Sequence, residues 1–168
     1  MKRTIILLLV TVLITSCNER RSEQKTVSAP LKEDVPEGAV LIASGIVTEV
    51  IIRPDPDGDP WEIEKVAGYN GEVMVNSIFK RVYDGTLTVY DYHSGDVLTA
   101  NDVKKIEAEF KNDRTKIGKL SFTEDWYYRP AENTLEKKAR SVAFGYELYN
   151  NLGKVYAYRA AFRADLGR

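Results

Sequence analysis

Residues 141–166 read SVAFGYELYNNLGKVYAYRAAFRADL and decide the fold, because two alternating runs flank one turn. The turn, Asn150–Gly153, is rich in residues that tolerate a positive φ. Side chains of a strand alternate between its two faces. Before the turn, one face is therefore apolar and carries Val142, Phe144, Tyr146 and Leu148. After it, alternation places Tyr156, Tyr158, Ala160, Phe162 and Ala164 on one face and Arg159, Arg163 and Asp165 on the other.

The hairpin extends upstream into a meander. Ile117–Arg129 predicts a further strand, and Pro130–Asn133 a turn that joins it to the strand Thr134–Tyr149. Two segments before it have apolar residues at helical spacing: one follows Asn70 as N-cap and stops at Gly85, and the other follows a Thr99/Asp102 capping box. The predicted class is α+β, an antiparallel sheet with a C-terminal three-stranded meander, packed by two short helices.

The segment between residues 38 and 92 predicts further extended structure. Gly38–Arg53 is rich in Val and Ile, and Pro54–Pro60 is a proline-rich turn. Trp61–Val66 alternates and predicts a short return strand. Leu87–Tyr92 is strand-like in composition, and His93–Asp96 predicts a turn.

The first seventeen residues have the pattern of an export signal. Met1-Lys2-Arg3 is positively charged, and Ile5–Ile14 is apolar except for Thr11, which is too short for a membrane-spanning helix. Ile14-Thr15-Ser16-Cys17 resembles the lipobox of bacterial lipoproteins. The resemblance implies that residues 1–16 are removed and that Cys17 carries the lipid. A signal anchor, or an ordinary signal with a chance cysteine, is the alternative.

Residues 17–36 are polar and proline-containing, which predicts a tether, and residues 37–168 then form one α+β domain. Asn18 after the cysteine favours, by analogy with sorting rules, the periplasmic face of the outer membrane. Two or three acyl chains on Cys17 would make the membrane attachment stable. The formal net charge of -1 gives no electrostatic reason to expect nucleic acid as a partner.

The sequence gives little support for catalysis or for a cofactor. His93 is the single histidine and lies in a predicted turn, and Cys17 is the single cysteine. The loop Asp55–Asp59 has three alternate carboxylates, but it does not match an EF-hand, which needs glycine sixth and an acid twelfth. A hairpin turn is the preferred interpretation, with calcium binding as the open alternative. We expect that the protein is not an enzyme and that it has no cofactor and no metal site.

The aromatic residues are more informative about binding. Trp126-Tyr127-Tyr128 lies within a predicted strand, so Trp126 and Tyr128 share one face and Tyr127 takes the other. Core packing is the expectation for Trp126, and Tyr127 or the Tyr156/Tyr158 pair is the expected exposed contact surface. The candidate partner-binding residues are Trp126, Tyr127, Tyr128, Tyr156 and Tyr158.

Three of these segments are similar to one family in order and approximate spacing. They are Ser77–Asp91 (SIFKRVYDGTLTVYD), Leu98–Val103 (LTANDV) and Ile117–Tyr128, which ends in FTEDWYY. Together they resemble the gliding-motility N protein family, the PorN-like component of the type IX secretion machinery, over about residues 72–140. The resemblance implies a structural interaction subunit beneath the outer membrane, without catalysis, with a protein partner in the secretion and gliding machinery.

The predicted function is therefore a lipid-anchored periplasmic scaffold or interaction protein. A lipoprotein that binds a small ligand or glycan through an aromatic sheet face is the alternative. A hydrolase that uses carboxylates is a third class. An exposed aromatic patch would favour the first, a concave pocket with convergent polar groups the second, and buried acids with a raised pKa the third.

Overall fold

The computed structural model describes residues 35–167, so the predicted signal peptide, Cys17 and most of the predicted tether lie outside the described residues. Within residues 35–167, six strands and three α-helices follow one another along the chain. They are β1 (Val40–Ile51), α1 (Pro60–Glu64), α2 (Gly71–Tyr83), β2 (Val89–Tyr90), β3 (Val97–Leu98), α3 (Ala100–Glu109), a short 3-10 helix (Arg114–Lys116), β4 (Ile117–Arg129), β5 (Thr134–Tyr149) and β6 (Val155–Asp165).

The strands form one antiparallel sheet in the order β1-β4-β5-β6-β2-β3. The predicted α+β class and the C-terminal meander β4-β5-β6 are confirmed. Among the described residues, β1 lies at one edge of the sheet and the two-residue β3 at the other.

The core lies between one face of the sheet and the helices α2 and α3. The α2 stripe Val75, Ile78, Phe79 and Val82 is buried, as the helical spacing predicts. The Phe79 ring centre lies 5.1 Å from that of Phe162 and 5.9 Å from that of Phe144, so α2 packs on β5 and β6. Each such aromatic contributes about 1.5–3 kcal/mol by leaving water.

The ends of the longer helices follow the sequence. Thr99 and Asp102 form the predicted capping box at α3, each side chain accepting from the backbone N–H of the other. Gly85, with φ +69°, ends α2 in a conformation that suits glycine. Asn70 is the N-cap residue of α2, but its side chain accepts no capping hydrogen bond.

Trp61–Val66 is not a return strand, because Pro60–Glu64 forms the helix α1. Asp59 accepts a hydrogen bond of 2.9 Å from the backbone N–H of Trp61 and so acts as its N-cap. Pro60 occupies the first helical turn, where a missing N–H costs nothing. The cap and the proline therefore prevail over an alternation of only six residues.

The predicted faces of β6 are also wrong at one end. Ala143 pairs with Arg163 and Gly145 with Ala160, so two residues of β6 lie opposite Phe144. This bulge reverses the alternation. Phe162 and Ala164 face the core, but Tyr158 now lies opposite Glu147 on the other face, and Arg159 lies opposite Tyr146.

Candidate functional site

Tyr127, predicted as an exposed contact, is completely buried, with 0% of its surface accessible. Its Oη accepts a hydrogen bond of 2.9 Å from Nη2 of Arg140. The neighbouring Asp125 is buried too and accepts from Nε of Arg140 at 2.7 Å. Its position makes Tyr127 a structural residue, and the prediction that its side chain is exposed is wrong.

Trp126 is half-buried and lies outside the main core. Its indole N–H donates to Oε2 of Glu124 at 3.0 Å, and the ammonium of Lys137 lies 4.2 Å from the ring centre. The half-buried Tyr128 donates from its hydroxyl to Oδ1 of Asn133 at 2.7 Å. The core packing expected for Trp126 is therefore only partial.

Tyr156 is the most accessible of the predicted contact residues, with 65% of its surface exposed, while Tyr158 is half-buried. Trp126 pairs with Lys137 near the start of β5, and Val155 pairs with Tyr149 at its end. At about 3.3 Å per residue, the twelve residue steps from Lys137 to Tyr149 separate these two places by roughly 40 Å. The fold therefore does not bring the five predicted residues into one site.

An exposed apolar edge strand lies beside the Trp126 end of the sheet. β1 has twelve residues, of which only Glu49 is charged. Val40 is 55% exposed and Val47 61%, and Leu41 and Ile42 are exposed as well. Among residues 35–167, no strand pairs with the outer edge of β1. Soluble proteins commonly protect such edges with lysine, proline or bulges.

The second half of β1 offers a regular hydrogen-bonding edge. The bulges lie between Leu41 and Ile46, and the pairing with β4 is regular from Ile46 to Ile51. The N–H of Ile52 donates to the carbonyl of Gly118, so the backbone groups of Thr48 and Val50 also point toward β4. By alternation, those of Val47, Glu49 and Ile51 point outward.

A groove of about 780 Å³ lies on the helix side of the sheet, with walls from α2, α3 and the segment 112–115. Val75 and Ile117 are among its apolar lining residues. Its polar residues include Asn76, Tyr83, Lys104, Glu107 and Arg114. Glu107 is buried and accepts from Nε of Arg114 at 2.6 Å.

Tyr146 lies next to the groove, its ring stacked on that of Phe110 with 4.0 Å between centres. Burial, reinforced by the charge of Glu107, raises the pKa of the Tyr146 hydroxyl well above its ordinary value. The hydroxyl is buried and has no hydrogen-bond partner among the described residues. A phenol in this state stays neutral and is unsuited to act as a base near neutral pH.

The remaining sequence candidates are exposed. His93 lies in the predicted turn, where its backbone N–H donates to Oδ1 of Asp91. In the Asp55–Asp59 loop, Asp59 caps α1 and Asp55 accepts from the backbone N–H of Asp57 at 3.0 Å. Within residues 35–167, no three His, Cys, Asp or Glu side chains are arranged to hold a metal ion.

Neither the open edge of β1 nor the groove was among the features predicted from the sequence. The apolar run Val40–Ile42 was visible as a signal, but whether a strand is central or at an edge depends on the sheet order. Arg114 lies in the polar segment 111–116 (KNDRTK), which contains no binding motif of its own.

No protein-family model matches the chain, and no curated protein is significantly similar to it. In the part of the chain that the structure describes, no helix is both long and apolar enough to cross a bilayer.

Proposed function

We propose that the protein is a lipid-anchored interaction subunit of the bacterial cell envelope, which docks an extended segment of a partner protein on the outer edge of β1. The observation that carries this proposal is the exposed, nearly uncharged edge strand. The proposal includes no catalysis.

Strand addition suits this edge for two reasons. Val47, Glu49 and Ile51 direct backbone donors and acceptors outward along a regular stretch, and these can form main-chain hydrogen bonds with an added strand. The exposed side chain of Val47 gives an apolar surface beside it. An edge with these properties would otherwise favour aggregation.

The aromatic end of the meander adds a second apolar surface beside this edge. Val40 pairs with Tyr128, and Tyr128 pairs with Leu135, so the three residues form a row across β1, β4 and β5. Val40 and Leu135 are both more than half exposed. A partner strand beside Val40 would therefore also reach apolar groups on the sheet.

The predicted anchor would hold this edge near a membrane. Cys17 precedes Val40 by 23 positions. A chain extends at most about 3.5 Å per residue, so β1 would begin within about 80 Å of the lipid. A partner at the envelope membrane is within that distance. The resemblance at about residues 72–140 supports a partner in the type IX secretion and gliding machinery.

The proposal is tested by photo-crosslinking in cells that make the full chain. A photoreactive residue replaces Ile42 at the exposed edge or, as control, Leu152, which is 85% exposed at the far hairpin. We expect a discrete crosslinked protein from position 42 and none from position 152.

Adding Val47→Pro to the position 42 probe removes an outward-pointing N–H while leaving the bonds between β1 and β4 intact. The crosslink should then disappear. The same product from both positions, or a product that survives Val47→Pro, would contradict docking on this edge. A crosslinked product with twice the mass of the chain would identify a second copy instead of a partner.

A further inference from the structure

The guanidinium of Arg114 is held in position at one end of the groove between α2 and α3, and some of its N–H groups have no acceptor among the described residues. Nε of Arg114 donates to Glu107 at 2.6 Å, and Nη1 donates to Oδ1 of Asn76 at 3.2 Å. The guanidinium carbon also lies 4.3 Å from the ring centre of Phe79. An arginine has five N–H donors, and the described residues supply acceptors for only two of them.

Lys104 supplies a second positive charge at the same end. Its ammonium lies 5.3 Å from the ring centre of Tyr83, and both residues line the groove. No carboxylate of residues 35–167 forms an ion pair with it. Its neighbour Lys105, by contrast, is outside the groove and pairs with Asp102 at 3.0 Å.

The hydroxyl of Tyr83 is the third donor. Its oxygen is buried and has no hydrogen-bond partner among the described residues. Buried polar groups are nearly always hydrogen-bonded, so an unpartnered donor in the wall of a groove indicates a place for an acceptor.

The acids around the groove are already engaged or distant. Glu107 is paired with Arg114, and Asp113 accepts from both the backbone and the hydroxyl of Thr115. These hydrogen bonds lower the pKa of Asp113 below its ordinary value. Glu72 lies eleven residues before Tyr83 in α2, which is about 16 Å along the helix axis. The groups left to bind a ligand at the Tyr83 end are donors and cations.

We propose that this groove binds a small amphipathic carboxylic acid. Its carboxylate lies between Lys104, Arg114 and the Tyr83 hydroxyl, and its apolar body contacts Val75 and Ile117. A planar guanidinium matches the geometry of a carboxylate, and the volume of the groove is in the range of small-molecule sites. This site is separate from the outer edge of β1 and does not rest on the proposed docking function.

Two probes that differ only in charge test the site. N-acetylphenylalanine has a carboxylate and an aromatic body, and N-acetylphenylalaninamide is its neutral counterpart. Each compound is titrated into the purified chain, and binding is monitored through the NMR chemical shifts of the protein. We expect the acid to shift the signals of Tyr83, Lys104 and Arg114, and the amide to bind about tenfold more weakly, because it lacks the charge-assisted hydrogen bonds.

Three variants locate the binding. Lys104→Met and Tyr83→Phe should weaken binding of the acid, whereas Lys105→Met, the matched control one residue along α3, should leave it unchanged. Thermal unfolding checks that each variant is folded. Both informative substitutions keep the bulk of the side chain.

Several outcomes would overturn the proposal. These are equal binding of acid and amide, no binding of the acid at millimolar concentration, and an equal effect of Lys104→Met and Lys105→Met. Displacement of the acid by inorganic phosphate at a similar concentration would show a phosphate site instead, and would overturn the carboxylate assignment.

Discussion

Arg140 donates hydrogen bonds to both Tyr127 and Asp125, at 2.9 Å from Nη2 to the phenol oxygen and at 2.7 Å from Nε to the carboxylate. The pairing of β4 with β5 explains how one side chain reaches both. Thr123 pairs with Ser141 and Glu124 with Ala139, which leaves Arg140 as the extra residue of a bulge. The bulge supplies a cation to a buried acid and a buried phenol.

Tyr127→Phe should therefore reduce stability instead of abolishing binding. The substitution removes the hydroxyl that accepts from Arg140 in a buried setting, which should cost about 1–3 kcal/mol of unfolding free energy. Denaturant unfolding measures this cost. Tyr128→Phe, which loses a hydrogen bond to the exposed Asn133, is the control and should change stability by less than about 0.5 kcal/mol. Equal effects of the two variants would contradict the structural role of Tyr127.

Tyr146→Phe should behave in the opposite way. The Tyr146 hydroxyl is buried without a partner among residues 35–167, so its removal takes away a group whose burial is uncompensated. We expect stability to be unchanged or raised by up to about 1 kcal/mol, because the stacking on Phe110 is kept. Urea unfolding of this variant beside wild type provides the measurement, and a loss above about 1 kcal/mol would show that the hydroxyl is hydrogen-bonded in solution.

Gly118→Ala should destabilise the fold through Glu147. A Cβ at position 118 would clash with Oε1 of Glu147 and would lie 2.6 Å from its Cγ. Glu147 is itself buried and forms an ion pair with Arg53 at 3.4 Å. Moving Glu147 away would break that pair, at a cost of about 1–3 kcal/mol. Gly68→Ala is the control, since nothing lies within 4 Å of its Cβ position. Thermal unfolding of the two variants should differ, and equal midpoints would refute the contact.

The capping box of α3 should make the stability of the fold depend on pH in the acid range. Hydrogen bonds from Thr99, followed by that from Lys105, lower the pKa of Asp102 from 3.8 to about 2. The stability that its carboxylate contributes is therefore present above pH 4 and is lost as the pH falls from about 4 to about 2. The melting temperature of Asp102→Asn should be lower than that of wild type at pH 6, and the two should converge near pH 2. Asp96→Asn, in the preceding turn, is the control. A difference in melting temperature between wild type and Asp102→Asn that stayed constant with pH would contradict the assignment.

Local signals in the sequence predicted much of the fold. Thr99 and Asp102 identified the start of α3, Gly85 marked the end of α2, and the turn Asn150–Gly153 joined β5 to β6. These features depend on neighbouring residues alone, so the sequence contains the information needed to find them.

The errors arose where distant residues decide the outcome. Simple alternation assigned Tyr158 to the face of Phe162, but the bulge opposite Phe144 shifts it to the other. Tyr127 was expected at the surface but is buried, where Arg140 donates a hydrogen bond to it. No pattern in the neighbouring sequence indicates that contact. The groove likewise requires Lys104 and Arg114 to meet α2, which only tertiary packing determines.

Amide hydrogen exchange along β1 tests the docking claim most directly, measured on the purified chain and on the complex with the crosslinked partner. In the free chain, the N–H groups of Val47, Glu49 and Ile51 point outward and should exchange fast, while those of Thr48 and Val50 bond to β4 and should exchange slowly. If the partner docks on this edge, it should slow exchange at Val47, Glu49 and Ile51 and leave the other two amides unchanged. Unaltered fast exchange at these three amides in the complex would contradict docking on the edge of β1.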